Sequence, residues 1–430
     1  MTSDDGSGRS RADLMQRSGR SYDMTADIAI TGLGLVTPAG IGVDASWQGV
    51  LSGRSAGATD PNLAGIPIDI SCRIADFDGN ALLGRKAARR LDRFVQLGLV
   101  AAREAIGDSG LDPETWDGAR VGAVMGCGMG GAATWEAQHT VLMEKGPERV
   151  SPLLIPMLIP NMIAGHIAIE FNANGPNLVT ATACTSGATA LGVARDLLRS
   201  GACDVVIAGG TESALTPLSI AAFGQMHALS GRVDDPAAAS RPFDADRDGF
   251  VAAEAAGVLI LERAEHAAAR GATVRARLLG YGASADAHHI TAPDPDGVGV
   301  GLAITSALAD ADITPADVGH INAHGTSTPL NDAAESKVIR RVFGDDAPPV
   351  TSTKGVTGHS LGAAGAIEAA FGVLTLQHGR IPPTANLDKQ DPEIDLDVVH
   401  GAPRDGDVDV VMSNSFGFGG QNGVVVLAGS

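Results

Sequence analysis

Cysteine and aromatic residues are scarce in this chain of 430 residues. Only four cysteines occur, at positions 72, 127, 184 and 203, and their spacing fits neither a disulfide framework nor a metal site. Aromatic residues make up 3% of the chain, whereas hydrophobic residues make up 44% and glycine occurs 56 times. This composition indicates a globular interior of small aliphatic side chains, in a protein of the reducing cytoplasm.

Positive charge is also scarce. The chain has 31 Lys and Arg residues against 50 Asp and Glu residues, a net charge of −19. Nucleic acid phosphates and anionic membrane surfaces would repel such a protein, so we expect no nucleic acid partner and no membrane partner.

Long apolar runs suited to a membrane are absent from the sequence. The most apolar stretch, residues 153–169, contains Pro156, Pro160, Asn161 and His166. These residues argue against a membrane span and predict a buried or interface segment. Residues 1–26 are polar and lack the apolar core of a signal peptide, which predicts a disordered leader.

Short β-branched runs that lead into Ala/Leu-rich stretches recur along the chain and are typical of an α/β protein. They lie at 28–32, 121–126, 205–210, 258–261, 320–323 and 408–412. A helix opening at Cys184 and followed by a strand has a later counterpart that opens at His359, which indicates two diverged copies of one unit. We therefore predict an N-terminal half at 27–270, a C-terminal half at 271–430, and an active site between them.

Cys184 stands in Ala-Thr-Ala-Cys-Thr-Ser-Gly at residues 181–187, among small residues at a predicted strand-to-helix turn. The partial positive charge of a helix N-terminus lowers a thiol pKa, and its free N–H groups can hold an oxyanion. The alternative interpretation is a small buried hydrophobic residue.

Two histidines follow predicted strand or turn signals in the C-terminal half. His324 lies in Asn-Ala-His-Gly-Thr-Ser-Thr-Pro at 322–329, and His359 closes Lys-Gly-Val-Thr-Gly-His at 354–359. A single loop histidine is more often a surface or capping residue than a catalyst. Two neutral imidazoles beside one cysteine, however, suit thioester chemistry, because they can donate hydrogen bonds to an enolate oxygen.

These motifs, together with Asn-Ser-Phe-Gly-Phe-Gly-Gly at 414–420 and Arg-Pro-Phe-Asp-Ala-Asp-Arg-Asp-Gly-Phe at 241–250, resemble the β-ketoacyl-[acyl-carrier-protein] synthases of the elongating Cys-His-His type. The resemblance runs from about residue 28 to the end of the chain. It implies an α/β thiolase-like fold, with duplicated βαβαβαββ halves in a five-layered αβαβα arrangement. It also implies an acyltransferase that condenses an acyl group on Cys184 with malonyl-carrier protein, releasing CO2, in fatty acid or polyketide elongation.

The resemblance implies further roles. His324 and His359 would promote decarboxylation, Lys354 and Glu368 would support them electrostatically, and the N–H groups of Cys184 and Phe418 would form the oxyanion hole. Thr326 and Thr328 would contact pantetheine, Phe418 would gate the acyl pocket, and Met129 would lie near that pocket. No metal and no cofactor are expected beyond the phosphopantetheine that carries the substrates.

Acidic residues near these motifs allow a structural interpretation as well. Glu368 lies among Gly, Ala and Ile, where an unpaired carboxylate is costly, so we predict a buried pair with Lys354. Asp332 and Glu335 are interpreted as ordinary acids of a first helical turn.

The sequence departs from the family pattern in three places: Ala253 and Ala255, which flank Glu254 where the family usually has glycines; Met129; and Gln421, where Thr or His is common. None of the three removes a catalytic group. The first predicts an altered backbone turn, and Met129 predicts a shifted chain-length preference.

The densest basic cluster comprises Arg85, Lys86, Arg89, Arg90 and Arg93. It is either a solvated helix face or a docking site for an acidic acyl carrier protein, which is the expected partner.

Two rival functions remain open at this point. One is a thiolase acting on coenzyme A esters, and the other is a non-catalytic chain-length subunit, which would lack the cysteine. The chain is expected to form a homodimer, or a heterodimer with a chain-length-factor-like paralogue.

Overall fold

The computed structural model describes residues 27–430, and the predicted leader at 1–26 lies outside the described residues. The strands are β1 (Ile28–Thr37), β2 (Gly40–Ile41), β3 (Ala58–Thr59), β4 (Ile70–Ser71), β5 (Val121–Gly126), β6 (Asn177–Thr180), β7 (Val205–Glu212), β8 (Ala255–Arg263), β9 (Ala276–Ala285), β10 (His320–Asn322), β11 (Val350–Thr351), β12 (Arg380–Ile381), β13 (Arg404–Asp405), β14 (Val410–Gly417) and β15 (Gln421–Ala428).

The helices are α1 (Val43–Leu51), α2 (Gly79–Leu83), α3 (Arg85–Ala88), α4 (Arg93–Ser109), α5 (Ala132–Lys145), α6 (Leu154–Leu158), α7 (Met162–Phe171), α8 (Ser186–Arg199), α9 (Pro217–Gln225), α10 (Ala264–Ala269), α11 (Val298–Asp310), α12 (Pro329–Phe343), α13 (Lys354–Thr357) and α14 (Ala364–His378). Five of the six predicted strand runs fall in β1, β5, β7, β8 and β10. The sixth strand, β14, begins two residues later than predicted.

The main sheet repeats one strand order twice. The first half runs β6-β5-β7-β8-β1, and the second runs β11-β10-β14-β15-β9. In both halves the first three strands are parallel and the last two pair antiparallel. The halves meet between β1 and β9 through only two residue pairs, Ala29 with Arg277 and Ile30 with Ala276. Each half has the βαβαβαββ order, so the predicted duplication is confirmed.

Helices cover both faces of each half. Helices α8 and α14 pack against each other between the halves, α8 also contacting β5 and β7, and α14 contacting β8 and β14. Helix α4 covers β1 and β8 from outside, and α11 covers β9 and β15. The predicted five-layered αβαβα arrangement is therefore confirmed. Residues 270–275 connect α10 to β9, and the exact domain boundary near residue 270 stays a prediction.

Glycines let the two central helices touch. A Cβ at Gly187 would lie 2.7 Å from the backbone nitrogen of Ala366, and a Cβ at Gly365 would lie 2.7 Å from that of Ala188. Such distances leave no room for any larger residue. Because α8 begins next to Cys184 and α14 follows the His359 loop, this close contact brings the two predicted catalytic loops together.

The apolar stretch at 153–169 forms parts of α6 and α7, and part of it faces solvent. Ile155 is 57% exposed and Ile169 is 77% exposed. The prediction that these two side chains are buried within this chain is therefore wrong. The predicted interface with another chain stays a prediction. Among residues 27–430, every helix is too short or too polar to cross a bilayer.

Candidate active site

Cys184 lies in a tight turn between β6 and α8. A short 3-10 turn, Ala183–Thr185, precedes the helix, and Ala183 has a left-handed backbone with φ of 51°. This conformation is strained for a residue other than glycine. The Ser186 hydroxyl donates to the Ala183 carbonyl at 2.6 Å and accepts from the Thr182 N–H at 3.0 Å. These bonds hold Cys184 at a fixed place, where it is 8% exposed.

The end of β14 packs over this turn. The backbone N–H of Phe418 donates to the Cys184 sulfur. A Cβ at Gly417 would lie 2.9 Å from the Thr182 carbonyl oxygen and 3.0 Å from the Cys184 nitrogen. Only glycine at 417 therefore permits the N–H groups of Cys184 and Phe418 to stand side by side.

Gly417→Ala is expected to displace Cys184 and to slow acyl transfer to its sulfur by about 10- to 100-fold, since a misplacement of about 1 Å can cost 100-fold. The rate can be followed by intact-mass spectrometry with acyl-carrier protein. Gly107→Ala serves as the control, because Gly107 lies on the exposed side of α4 with nothing within 4 Å of the added Cβ. An unchanged loading rate for Gly417→Ala would contradict the expected steric role.

The two predicted histidines converge on Cys184. His324 follows β10 and His359 follows α13, and both are 3% exposed. The sulfur of Cys184 and one ring nitrogen from each histidine lie within 4.8 Å of one another. The two imidazole rings are 5.3 Å apart at 84°. Cys184 of the N-terminal half thus meets His324 and His359 of the C-terminal half, where the two halves are in contact.

Backbone contacts hold the two histidines in place. The N–H of His359 donates to the Val251 carbonyl at 2.8 Å, and the His359 carbonyl accepts from the Ala253 N–H at 3.0 Å. The N–H groups of His324 and Gly325 donate to the Glu335 carboxylate at 2.9 and 2.8 Å. Hydrogen bonds from backbone groups therefore fix both positions, with main-chain partners at His359 and the Glu335 carboxylate as partner at His324.

The interpretation of Asp332 and Glu335 as ordinary first-turn acids is wrong. Both are at most 1% exposed. Asp332 accepts from the Phe243 N–H at 2.9 Å, and Glu335 accepts the two N–H groups of the His324 loop. A signal was present in the sequence: both acids share the helix face of Ile339 and Phe343, which packs into the core.

Both His324 and His359 are neutral. Burial lowers the pKa of each well below its usual value, and the Lys354 ammonium lowers it further. Within the described chain, the Nδ1 atoms of both rings are buried without a hydrogen-bond partner. A neutral imidazole carries one N–H, so the pair can offer two donors to a developing oxyanion.

The Cys184 thiol is protonated at rest. Burial raises its pKa to about 12, while Lys354 and the Phe418 N–H act in the opposite direction. This direction contradicts the lowering expected from the helix N-terminus, because removal from water outweighs the partial charge of the helix. The thiol must therefore lose its proton as it attacks.

Lys354 and Glu368 form a buried ion pair, as expected, and each is 1% exposed. Burial raises the pKa of Glu368 to about 7, against the opposing effect of Lys354. The Lys354 carbonyl accepts from the Ser240 hydroxyl at 2.6 Å. The pair lies close enough to affect the pKa of Cys184.

The other predicted site residues lie around this cluster. The Thr326 and Thr328 hydroxyls are 2.9 Å apart, and Thr328 also caps α12 by accepting from the Asn331 N–H. Phe418 is half-buried, with its ring 6.5 Å from that of Phe223. Met129 is 43% exposed in this single chain. Their proposed contacts with pantetheine and acyl chain stay predictions.

The predicted docking residues Arg85, Lys86, Arg89 and Arg90 are exposed on and just after α3. None of the four forms an ion pair within residues 27–430. Arg93 does not belong with them: it pairs with buried Glu254 at 2.6 Å, and its guanidinium lies 5.1 Å from the Phe77 ring centre. The basic surface therefore comprises four residues rather than five.

The Cys184, His324 and His359 cluster is also the one group of three or more potential metal ligands among the described residues. A cysteine sulfur and two imidazole nitrogens could hold a thiophilic ion. The expected absence of a metal cofactor stays a prediction.

Family models match most of the chain. One described as "Beta-ketoacyl synthase, N-terminal domain" matches residues 25–267, and one described as "Beta-ketoacyl synthase, C-terminal domain" matches residues 275–388. The 3-oxoacyl-[acyl-carrier-protein] synthase 2 of Synechocystis sp. is 47% identical over 401 residues, covering 92% of this chain and 96% of the relative. That of Vibrio harveyi is 44% identical over 407 residues, covering 93% and 98%.

Solved structures share the fold over nearly the whole chain. A beta-ketoacyl synthase from Burkholderia phymatum has a TM-score of 0.88 at 32% identity, covering 94% of this chain and 100% of that chain. The ishigamide ketosynthase/chain length factor has a TM-score of 0.87 at 34% identity, covering 94% and 99%. A type II polyketide ketosynthase solved with its acyl-carrier protein has a TM-score of 0.86 at 33% identity, with the same coverage.

Proposed function

The chain belongs to the beta-ketoacyl synthase family, and we propose that Cys184, His324 and His359 carry out its decarboxylative Claisen condensation. The enzyme is an acyltransferase, a β-ketoacyl-[acyl-carrier-protein] synthase of fatty acid or polyketide elongation. The observation that carries the assignment of roles is the convergence of one sulfur and two imidazole nitrogens within 4.8 Å.

In the first half-reaction the Cys184 sulfur attacks the thioester carbonyl of acyl-carrier protein. Because the thiol is protonated at rest, its proton passes to a neighbouring neutral imidazole during the attack. The carbonyl oxygen becomes an oxyanion held by the N–H groups of Cys184 and Phe418. The pantetheine sulfur then leaves and takes up the proton, so that an acyl-Cys184 thioester and free carrier thiol result.

In the second half-reaction malonyl-carrier protein enters the same cleft. The bond between its carboxylate carbon and methylene carbon breaks, CO2 leaves, and the electron pair becomes an enolate. The N–H groups of neutral His324 and His359 stabilise the enolate oxygen, and the nearby Lys354 ammonium favours the negative charge. Protonated imidazoles would be repelled by Lys354. The lowered pKa values of His324 and His359 therefore keep both rings neutral, so that they act as hydrogen-bond donors in this step.

Carbon–carbon bond formation completes the cycle. The enolate carbon attacks the acyl-Cys184 carbonyl, and the oxyanion again lies between the N–H groups of Cys184 and Phe418. When this intermediate collapses, the Cys184 sulfur leaves as a thiolate and takes a proton from solvent. The product is a β-ketoacyl-carrier protein that is two carbons longer.

Two histidine variants test whether His324 and His359 act mainly in the step that uses malonyl-carrier protein. His324→Ala and His359→Ala each keep one neutral imidazole that can take the thiol proton, so both are expected to accept an acyl group on Cys184. Both should discharge it to malonyl-carrier protein at least about 100-fold more slowly, since each removes an oxyanion donor. Intact-mass spectrometry follows the adduct before and after malonyl-carrier protein is added.

His378→Ala is the matched control, because His378 stacks on Trp47 at 5.7 Å, outside the catalytic cluster. If both catalytic variants discharged the acyl group at the rate of the control, the proposed roles of the histidines would be wrong.

Acyl carrier protein is the proposed partner, and Arg85, Lys86, Arg89 and Arg90 are its proposed docking site. Two acidic proteins can meet only through a local positive surface, and these four cations are exposed. A solved relative is described as a ketosynthase in complex with its acyl-carrier protein, and others as ketosynthases with a chain length factor. Since Cys184 and both histidines are present, this chain would be the catalytic member of such a heterodimer, or one half of a homodimer.

A cytoplasmic location is proposed from the cysteines. Cys72, Cys127, Cys184 and Cys203 are all free and buried. A reducing compartment keeps the Cys184 thiol available for acylation.

A further inference from the structure

Glu212, the last residue of β7, has a fully buried carboxylate that none of the catalytic steps uses. Its Oε2 accepts from the N–H groups of Gly128 and Gly362 at 2.7 and 3.2 Å. Its Oε1 accepts from the Met129 N–H at 3.1 Å and from the Cys127 thiol at 3.5 Å. Four donors therefore point at one carboxylate.

The donors come from two different parts of the site. Cys127, Gly128 and Met129 form the loop after β5, which carries the proposed acyl-pocket residue Met129. Gly362 lies in the turn Leu361–Ala363, three residues after His359. One carboxylate thus connects the loop of the N-terminal half to the catalytic loop of the C-terminal half.

The two segments are packed too closely for side chains between them. A Cβ at Gly362 would lie 2.6 Å from the Gly128 nitrogen and 2.7 Å from Glu212 Oε2. A Cβ at Gly128 would lie 2.9 Å from the same oxygen. The carboxylate is therefore the direct link between the segments.

Burial raises the pKa of Glu212, whereas its four hydrogen bonds lower it and favour the ionised carboxylate. The ionised form offers acceptor sites on both oxygens and no donor. An amide in its place would point its NH2 group at the Gly128 and Gly362 N–H groups or, when flipped, at the Met129 N–H. In either orientation at least one backbone donor would lose its acceptor.

The Glu212 charge is unfavourable for the nucleophile, because it raises the pKa of the Cys184 thiol. An amide would avoid this effect. What a carboxylate provides here and an amide does not is an acceptor for every donor, and these hydrogen bonds hold the two segments together.

We propose that Glu212 is a positioning residue that sets acyl-chain preference by holding the Met129 loop at a fixed place relative to Cys184 and the His359 loop. The proposal rests on the proposed function, since it assumes that Cys184 accepts the acyl chain and that Met129 lies at the acyl site. We expect a looser Met129 loop to change the depth of that site, and therefore to affect long acyl groups more than short ones.

The test compares wild type with Glu212→Gln, using acyl-carrier proteins that carry a short and a long acyl group. Acyl transfer to Cys184 is measured as kcat and KM for each length. We expect KM for the long group to change by about tenfold or more, while KM for the short group changes less than about threefold, since contacts with single chain carbons are worth about 10- to 200-fold in specificity.

Glu262→Gln is the matched control. Glu262 is equally buried, but its carboxylate is held by Thr31, His266 and Arg270, away from the site. This variant should leave the ratio of long-chain to short-chain kcat/KM at the wild-type value. Hydrogen exchange of peptides covering 126–131 and 358–363 should be faster in Glu212→Gln than in both other proteins.

The proposal would be overturned if the ratio of long-chain to short-chain kcat/KM were the same in Glu212→Gln and wild type. It would also be overturned if Glu262→Gln changed this ratio as much as Glu212→Gln does. If Glu212→Gln does not fold, Glu212→Asp keeps the charge but shortens the side chain, and the same ratio is measured on it. A wild-type protein that accepts no acyl group of any length would refute the proposed function itself, which is a different outcome.

Discussion

Cys184→Ala is expected to take up no acyl group under conditions in which the wild-type protein gains the mass of one acyl chain. The variant lacks the sulfur that forms the thioester, and among the described residues no other cysteine forms such a cluster with both histidines. Loss of the nucleophile should lower the condensation rate by at least about 1,000-fold, as in other enzymes that use covalent catalysis. Intact-mass spectrometry with acyl-carrier protein measures the first effect, and detection of β-ketoacyl product measures the second.

The control for this variant is Cys203→Ala. Cys203 is fully buried beside β7, and burial also raises its pKa, to about 11. This substitution removes a buried thiol of similar chemistry from a place outside the site, so loading should be preserved. An acyl adduct on Cys184→Ala, or its absence from wild type at every chain length, would refute the assignment of the nucleophile.

Local sequence patterns were sufficient to predict the α/β class and the duplication, whereas the five-layered arrangement was predicted from the family resemblance. The β-branched runs and the helices that follow Cys184 and His359 are short-range features, and the repeat of that order predicted the duplicated fold. The repeat is visible in the structure as the same strand order in both halves. Small residues around Cys184, His324 and His359 made these loops candidates, but their roles were predicted from the combination of one cysteine with two histidines and from the family resemblance.

Features that depend on long-range packing were missed or misjudged. The carboxylate of Glu212 accepts N–H groups from segments that are distant in sequence, so no local motif displays its function. Glu335 accepts from the nearby Gly325 N–H, and its signal in the sequence was the helix face that it shares with Ile339 and Phe343. Arg93 looked like part of a basic surface, but its partner Glu254 is 161 residues away. The direction of the Cys184 pKa was misjudged because the depth of burial cannot be read from neighbouring residues.

The Lys354 and Glu368 pair gives the second large effect. Lys354→Met leaves a buried carboxylate without its cation, and we expect the free energy of unfolding to fall by about 3–5 kcal/mol above neutral pH. Because the pKa of Glu368 is about 7 even beside Lys354, loss of the cation raises it further. Protonated Glu368 carries no charge, so the destabilisation should be smaller at pH 6 than at pH 8. Denaturant unfolding at both pH values measures this difference.

The double variant Lys354→Met with Glu368→Leu separates stability from catalysis. Replacing a buried ion pair by apolar side chains is often neutral or stabilising, so this variant should recover most of the lost stability. It should nevertheless condense at least about 100-fold more slowly than wild type, because no cation remains near the enolate oxygen and the Cys184 thiol. A double variant with wild-type stability and wild-type condensation would show that the pair serves packing alone. If stability returns without activity, the ion pair is retained for its electrostatic effect on Cys184, His324 and His359.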